Sequence, residues 1–172
     1  MDHLGQVLLL LLLGGGAMTA LAAATVWWVE PARRVARTLN RALAGPADSL
    51  VVAPARGQGA GLRLDDNKIA VVRDFGDPGL IFDLDELIGA ELIFDGQVCA
   101  RAFRGEGRRA LDRIDPEVSK VMVRLVFDDV RDPEFELELW NAADPPRPGQ
   151  DGPAAVQAAR RWFARLEAVL RR

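Results

Sequence analysis

Along this chain the apolar positions change their period three times. Residues 7–29 carry no charge over 23 positions. At about 1.5 Å per residue, a helix of that length spans the roughly 30 Å hydrocarbon layer of a bilayer, and it satisfies its own backbone groups where water is absent. The run therefore predicts a transmembrane helix. Trp27 and Trp28 stand at its end, where amphipathic rings favour the headgroup region, and Glu30 and Pro31 close it. Over residues 31–44 the spacing becomes helical and sparse. Val35, Leu39 and Leu43 recur every four residues, with Arg33, Arg34, Arg37 and Arg41 on the other face. Such a basic amphipathic helix can lie on headgroups or join the anchor to the body as a solvated helix. Residues 45–61 are rich in Gly, Pro and Ala and read as a linker, with a short strand at 50–53.

From residue 62 the period is two. Residues 62–65 and 69–73 flank Asp66-Asn67 as a hairpin, and 80–84 form a short strand. Residues 88–94 and 97–103 flank Asp95-Gly96, a strong two-residue hairpin signal. Residues 118–128 place Val121, Val123, Leu125 and Phe127 on one face. In 134–140, Phe135, Leu137 and Leu139 oppose Glu134, Glu136 and Glu138. Residues 104–116 and 145–153 are polar loops. The last stretch, 153–171, returns to helical spacing, with a stripe that includes Ala159, Trp162, Phe163, Leu166 and Leu170. The expected fold class is α+β: a transmembrane helix, then a mostly antiparallel barrel or sheet of about seven strands, then an amphipathic C-terminal helix. The expected divisions are 1–30 for the anchor, 31–61 for the basic helix and linker, and 62–172 for the β-rich domain.

That order of elements, with the stretch KIAVVRDFGDPGLIFDLDELIGAELIFDGQ at 68–97, resembles small bacterial domains of pleckstrin-homology-like (PH-like) or GRAM-like type behind a membrane anchor. The resemblance covers 62–172 and implies a barrel plugged at one end by the last helix. It also implies binding of a lipid headgroup, a peptide or another protein rather than catalysis. It carries over no functional residue. A twisted sheet on one helix, or a lipocalin-like barrel, fits the same order.

Charge refines the picture. The chain is net −3; four of its 22 basic residues lie in 31–44, and only Asp2 and Glu30 of its 25 acidic residues precede residue 45, so the body is net −5. An acidic body on a basic collar argues against nucleic acid as a partner and suits an anionic lipid surface. Arginines after the run keep that side cytoplasmic, which predicts a single-pass inner-membrane protein of a bacterium with its N-terminus outside. A cleaved secretory signal is the rival reading, because Ala20, Ala22 and Ala24 mimic a cleavage site. It would leave a periplasmic barrel carrying a hydrophobic ligand. The leader MDHLGQ opposes it, having no Lys or Arg and carrying Asp2.

Candidate chemistry is thin. Cys99 is the only cysteine and His3 the only histidine, which excludes an internal disulfide and a Cys/His zinc site in a monomer. Ser49 and Ser119 lack a nucleophile motif. Asp83, Asp85 and Glu86 form one acidic cluster and Asp128, Asp129 and Asp132 another. A hydrolase reading needs these to converge with raised pKa values; the competing reading gives them turn roles. The loop arginines Arg101, Arg104, Arg108, Arg109 and Arg113 suit anions by their planar forks, although Glu106, Asp112 and Asp115 dilute the field. The candidate lipid- or partner-binding residues are therefore Arg33, Arg34, Arg37, Arg41, Arg104, Arg108 and Arg109. No cofactor or metal is expected, and the expected role is that of a non-enzymatic membrane-anchored interaction domain.

Overall fold

The computed structural model describes residues 16, 19, 30–75, 78–106, 109–110, 118–146 and 150–171. The uncharged run at 7–29 lies outside these, apart from Gly16 and Thr19, both helical. Among the described residues no helix is long and apolar enough to cross a membrane.

Helix α1 (Pro31–Ala42) opens with proline in its first turn, where the missing N–H costs nothing. A first sheet follows, built from β1 (Ser49–Ala53), β2 (Gln58–Arg63), β3 (Lys68–Val72) and β4 (Leu80–Asp83) in that spatial order. The second sheet contains β5 (Leu87–Phe94), β6 (Gln97–Phe103), β7 (Arg109–Ala110), β8 (Lys120–Phe127) and β9 (Glu134–Asn141). Its order is β7-β6-β5-β8-β9, with all neighbours antiparallel. Helix α2 (Gly152–Leu170) ends the body. The α+β class holds, with nine strands in two sheets among the described residues where about seven were expected. The first sheet is a meander and the second is not, because β8 pairs on the far side of β5 from β6.

The two strands beyond seven are β7 and β1, the latter at the short strand expected within 45–61, and β2 begins four residues before the strand expected from 62. The segment 45–61, expected to be a linker, contains β1 and most of β2. Its glycines are packing residues. A Cβ on Gly59 would stand 2.6 Å from Val35 Cγ1, and one on Gly61 would stand 2.9 Å from Leu50 Cδ2. Their bare backbone gives α1 its seat on the outer face of the first sheet. Val35, Leu39 and Leu43 are buried there against Ala70 and Val72.

The inner face of the same sheet uses the alternate positions, Val51, Ala60, Leu62, Ile69 and Val71. They meet Leu92, Val121, Val123, Leu125 and Leu137 of the second sheet. Phe82 and Phe127 stack with ring centroids 4.1 Å apart, joining the sheets near one end. α2 packs on β5, β8 and β9 and fills the space between the sheets with Trp162, Phe163 and Leu166. Asp151 caps this helix by accepting the Ala154 N–H at 2.7 Å. The Asp95-Gly96 turn has positive φ at both residues, 49° and 81°, as a tight hairpin with right-handed strand twist requires.

Candidate functional site

The arginines read from sequence divide between the two sheets. On α1, at 100° per residue, Arg33, Arg34, Arg37 and Arg41 fall within an arc of about 100°, opposite the buried Val35 and Leu39. Arg34 and Arg41 are exposed and have no carboxylate partner among the described residues. Arg33 Nε lies 2.6 Å from Glu30 Oε2, and Arg37 Nε donates to the Arg33 carbonyl at 3.2 Å. The far end of α1 is tied to the first sheet. Arg63 Nη1 donates to the Leu43 carbonyl at 2.7 Å, and the Ala47 N–H donates to Asn40 Oδ1 at 3.0 Å. The basic arc is thus held on a rigid element and faces away from the body.

The loop arginines belong to the second sheet. Arg104 Nη2 donates to the carbonyls of Leu84 and Leu87, at 2.8 and 3.2 Å. It clasps the turn between β4 and β5, so the Nη2 arm of its fork is already engaged. Arg108 lies outside the described residues. Arg109 pairs in register with Arg101 across β6 and β7, and its side chain lies outside the described residues. Arg101 keeps a buried Nε without a hydrogen-bond partner among the described residues. Cys99 is half-buried, its thiol facing the Gln97 carbonyl at 3.5 Å.

The two acidic clusters come together at one end of the body, where the Asp128 N–H donates to the Glu86 carbonyl at 2.7 Å. Their carboxylates have local tasks. Asp83 pairs with Lys68 at 2.5 Å, and Asp132 with Arg73 at 2.5 Å. Glu86 Oε2 accepts the Asp83 N–H at 2.7 Å. Asp129 accepts the N–H groups of Asp132 and Arg131, which hold its carboxyl below the usual range. That is opposite to the raised value a general acid needs. Among the described residues no three His, Cys, Asp or Glu side chains gather to hold a metal ion.

Elsewhere the charges are structural. Arg124 on the outer face of the second sheet lies 2.8 Å from both Glu91 and Glu136, and the hydrogen bond to Glu136 raises its pKa against the opposing effect of burial. Glu138 receives Arg56 at 2.5 Å and Lys120 at 2.8 Å. Burial alone would raise Glu138; the hydrogen bonds from Lys120, Arg56 and Asn141 outweigh it and hold the carboxyl low.

Sequence reading passed over one group. Arg161, Trp162 and Arg165 of α2 border a hollow against β1. The available signal was two arginines four residues apart with no acidic residue four positions before or after either one. No known protein family, no characterised protein and no solved structure matches the chain.

Proposed function

We propose that this is a non-enzymatic, single-pass inner-membrane protein that holds a PH-like interaction domain against the cytoplasmic surface of the bilayer, where it serves a protein partner or the anionic lipid itself. One observation carries the reading. The four arginines of α1 occupy the side opposite its buried stripe, directly after an uncharged run of membrane length. A helix whose apolar side is already covered by a sheet, and whose other side is basic, is suited to anionic headgroups, each arginine near the surface contributing about 1 kcal/mol. Two antiparallel sheets closed by a C-terminal helix support the PH-like part, while the position of β8 beside β5 departs from a simple meander. The periplasmic carrier reading needs a hollow barrel, and the space between the sheets is filled by Trp162, Phe163 and Leu166.

The test uses the full chain in a bacterial host with a reporter after Arg172. A GFP fusion should fluoresce, an alkaline phosphatase fusion should be silent, and the protein should stay in the pellet after carbonate extraction. Active phosphatase, or recovery of the intact chain in the wash, overturns the proposal.

A further inference from the structure

We propose that the groove between the outer edge of β1 and helix α2 binds an extended acidic peptide segment of a partner protein. This names the partner class for the interaction domain and rests on that reading only in treating the body as a binding module; α1 need not touch lipid.

β1 ends the first sheet, hydrogen-bonded to β2 on one side and to no strand on the other among the described residues, although β9 approaches it. Such an edge offers a row of N–H and C=O groups to an added strand. α2, seated mainly on β5, β8 and β9, runs beside this edge and leaves two adjoining hollows. The first, about 300 Å³, is lined by Leu50, Val51 and Val52 and by Arg161, Trp162 and Arg165. The second, about 230 Å³, lies beyond Arg165 and reaches Ser49, Leu62 and Val169. Arg165 stands between them and donates from Nη1 to Ser49 Oγ at 2.6 Å. From Ala158 to Val169 the helix wall runs about 16 Å, the length of roughly five extended residues.

Three features choose the occupant. Trp162 is 2 % exposed, and its Nε1–H is buried without a partner among the described residues. A buried indole N–H ordinarily finds an acceptor; this one has no accessible surface, so the carbonyl of a docked strand would meet it once the Trp162 ring turns toward the groove. Arg161 and Arg165 are both exposed, four residues apart on one helix, and neither meets a carboxylate among the described residues. Like charges at that spacing repel, and acidic side chains in the groove would relieve them. No acidic residue lines the first hollow, and the one in the second, Asp48, already accepts the Leu64 N–H at 2.7 Å. A headgroup or free phosphate would meet the arginines but leave the strand edge unused, which favours a peptide.

The full chain in nanodiscs of zwitterionic lipid is titrated with a fluorescent hexapeptide of alternating Val and Glu, and the tryptophan indole N–H resonances are followed by NMR. Binding should shift one indole resonance, the one lost in Trp162→Phe. Reversal of both arginines, R161E with R165E, should weaken binding about tenfold or more, since hydrogen bonds to charged groups are the strong ones. A Val/Lys peptide should not bind. The proposal falls if no indole resonance moves, if the reversed variant binds equally, or if the Lys peptide binds as well. It also falls if inorganic phosphate or anionic vesicles reproduce the indole shift, which would make the groove an anion or headgroup site. Reporter and extraction results on the unaltered chain are read independently, so failure of either proposal is recognised apart from the other.

Discussion

The two helices of the described body, α1 and α2, have similar sequence patterns and unequal structural weight. α2 drives Trp162, Phe163 and Leu166 into the core shared by both sheets, and Asp151 caps its start. α1 covers one face of one sheet with Val35, Leu39 and Leu43 and has no side-chain cap. α2 is held by what its own side chains fill. α1 is held as much by what the sheet beneath it lacks, since Gly59 and Gly61 leave the space it occupies. An amphipathic stripe therefore says which side of a helix is buried but not how much of the fold depends on it.

The comparison is most severely tested at Leu166, which is fully buried. Leu166→Ala should destabilise the whole body by about 2–5 kcal/mol, read as a cooperative shift in chemical denaturation. A loss under about 1 kcal/mol would remove α2 from its central place. Next, Gly59→Ala puts a methyl against Val35 and 3.0 Å from the Val51 carbonyl. We expect about 1–3 kcal/mol of destabilisation, as for other overpacked sites. Hydrogen exchange should localise it, with α1 amides exchanging faster while β8 and β9 stay protected. Uniform loss of protection would mean that α1 and α2 form one cooperative unit. The smallest effect concerns Glu138, which ties β9 to Arg56 beyond β1 and so links the two halves. Its carboxyl is held below the ordinary 4.5, so the unfolded chain binds that proton more readily than the folded one. This contribution is complete above about pH 5 and fades as acid titrates the folded carboxyl. Glu138→Gln should lower stability at neutral pH and flatten its decline between about pH 5 and pH 3, followed by denaturant midpoints. Parallel curves for both proteins would remove the tie.

Much of this was legible in the chain. The Asp95-Gly96 pair fixed the central hairpin because few residues adopt two successive positive φ angles. The Phe135, Leu137, Leu139 alternation predicted β9 because one of its faces is dry. Residues 45–61 misled, since glycine marks both a loose linker and a close approach, and the difference lies in α1. β7 was hidden because a two-residue strand has no period to read. The basic arc of α1 could be drawn from spacing alone, as Val35 and Leu39 determine its opposite side. The role of Arg104 could not, because the carbonyls it clasps lie 17 and 20 residues away. The β1–α2 groove was equally hidden, joining Ser49 to Arg165 across 116 positions.

The seating of α1 has a further consequence. The helix begins at Pro31, with Glu30 as its N-cap, and is already docked on the sheet at Val35. From residue 30 onward, no flexible residue separates the chain from the sheet on which α1 is docked. Residues 31–34 are thus a stiff lever rather than a tether, and any displacement of Glu30 is passed to the first sheet within one turn of helix.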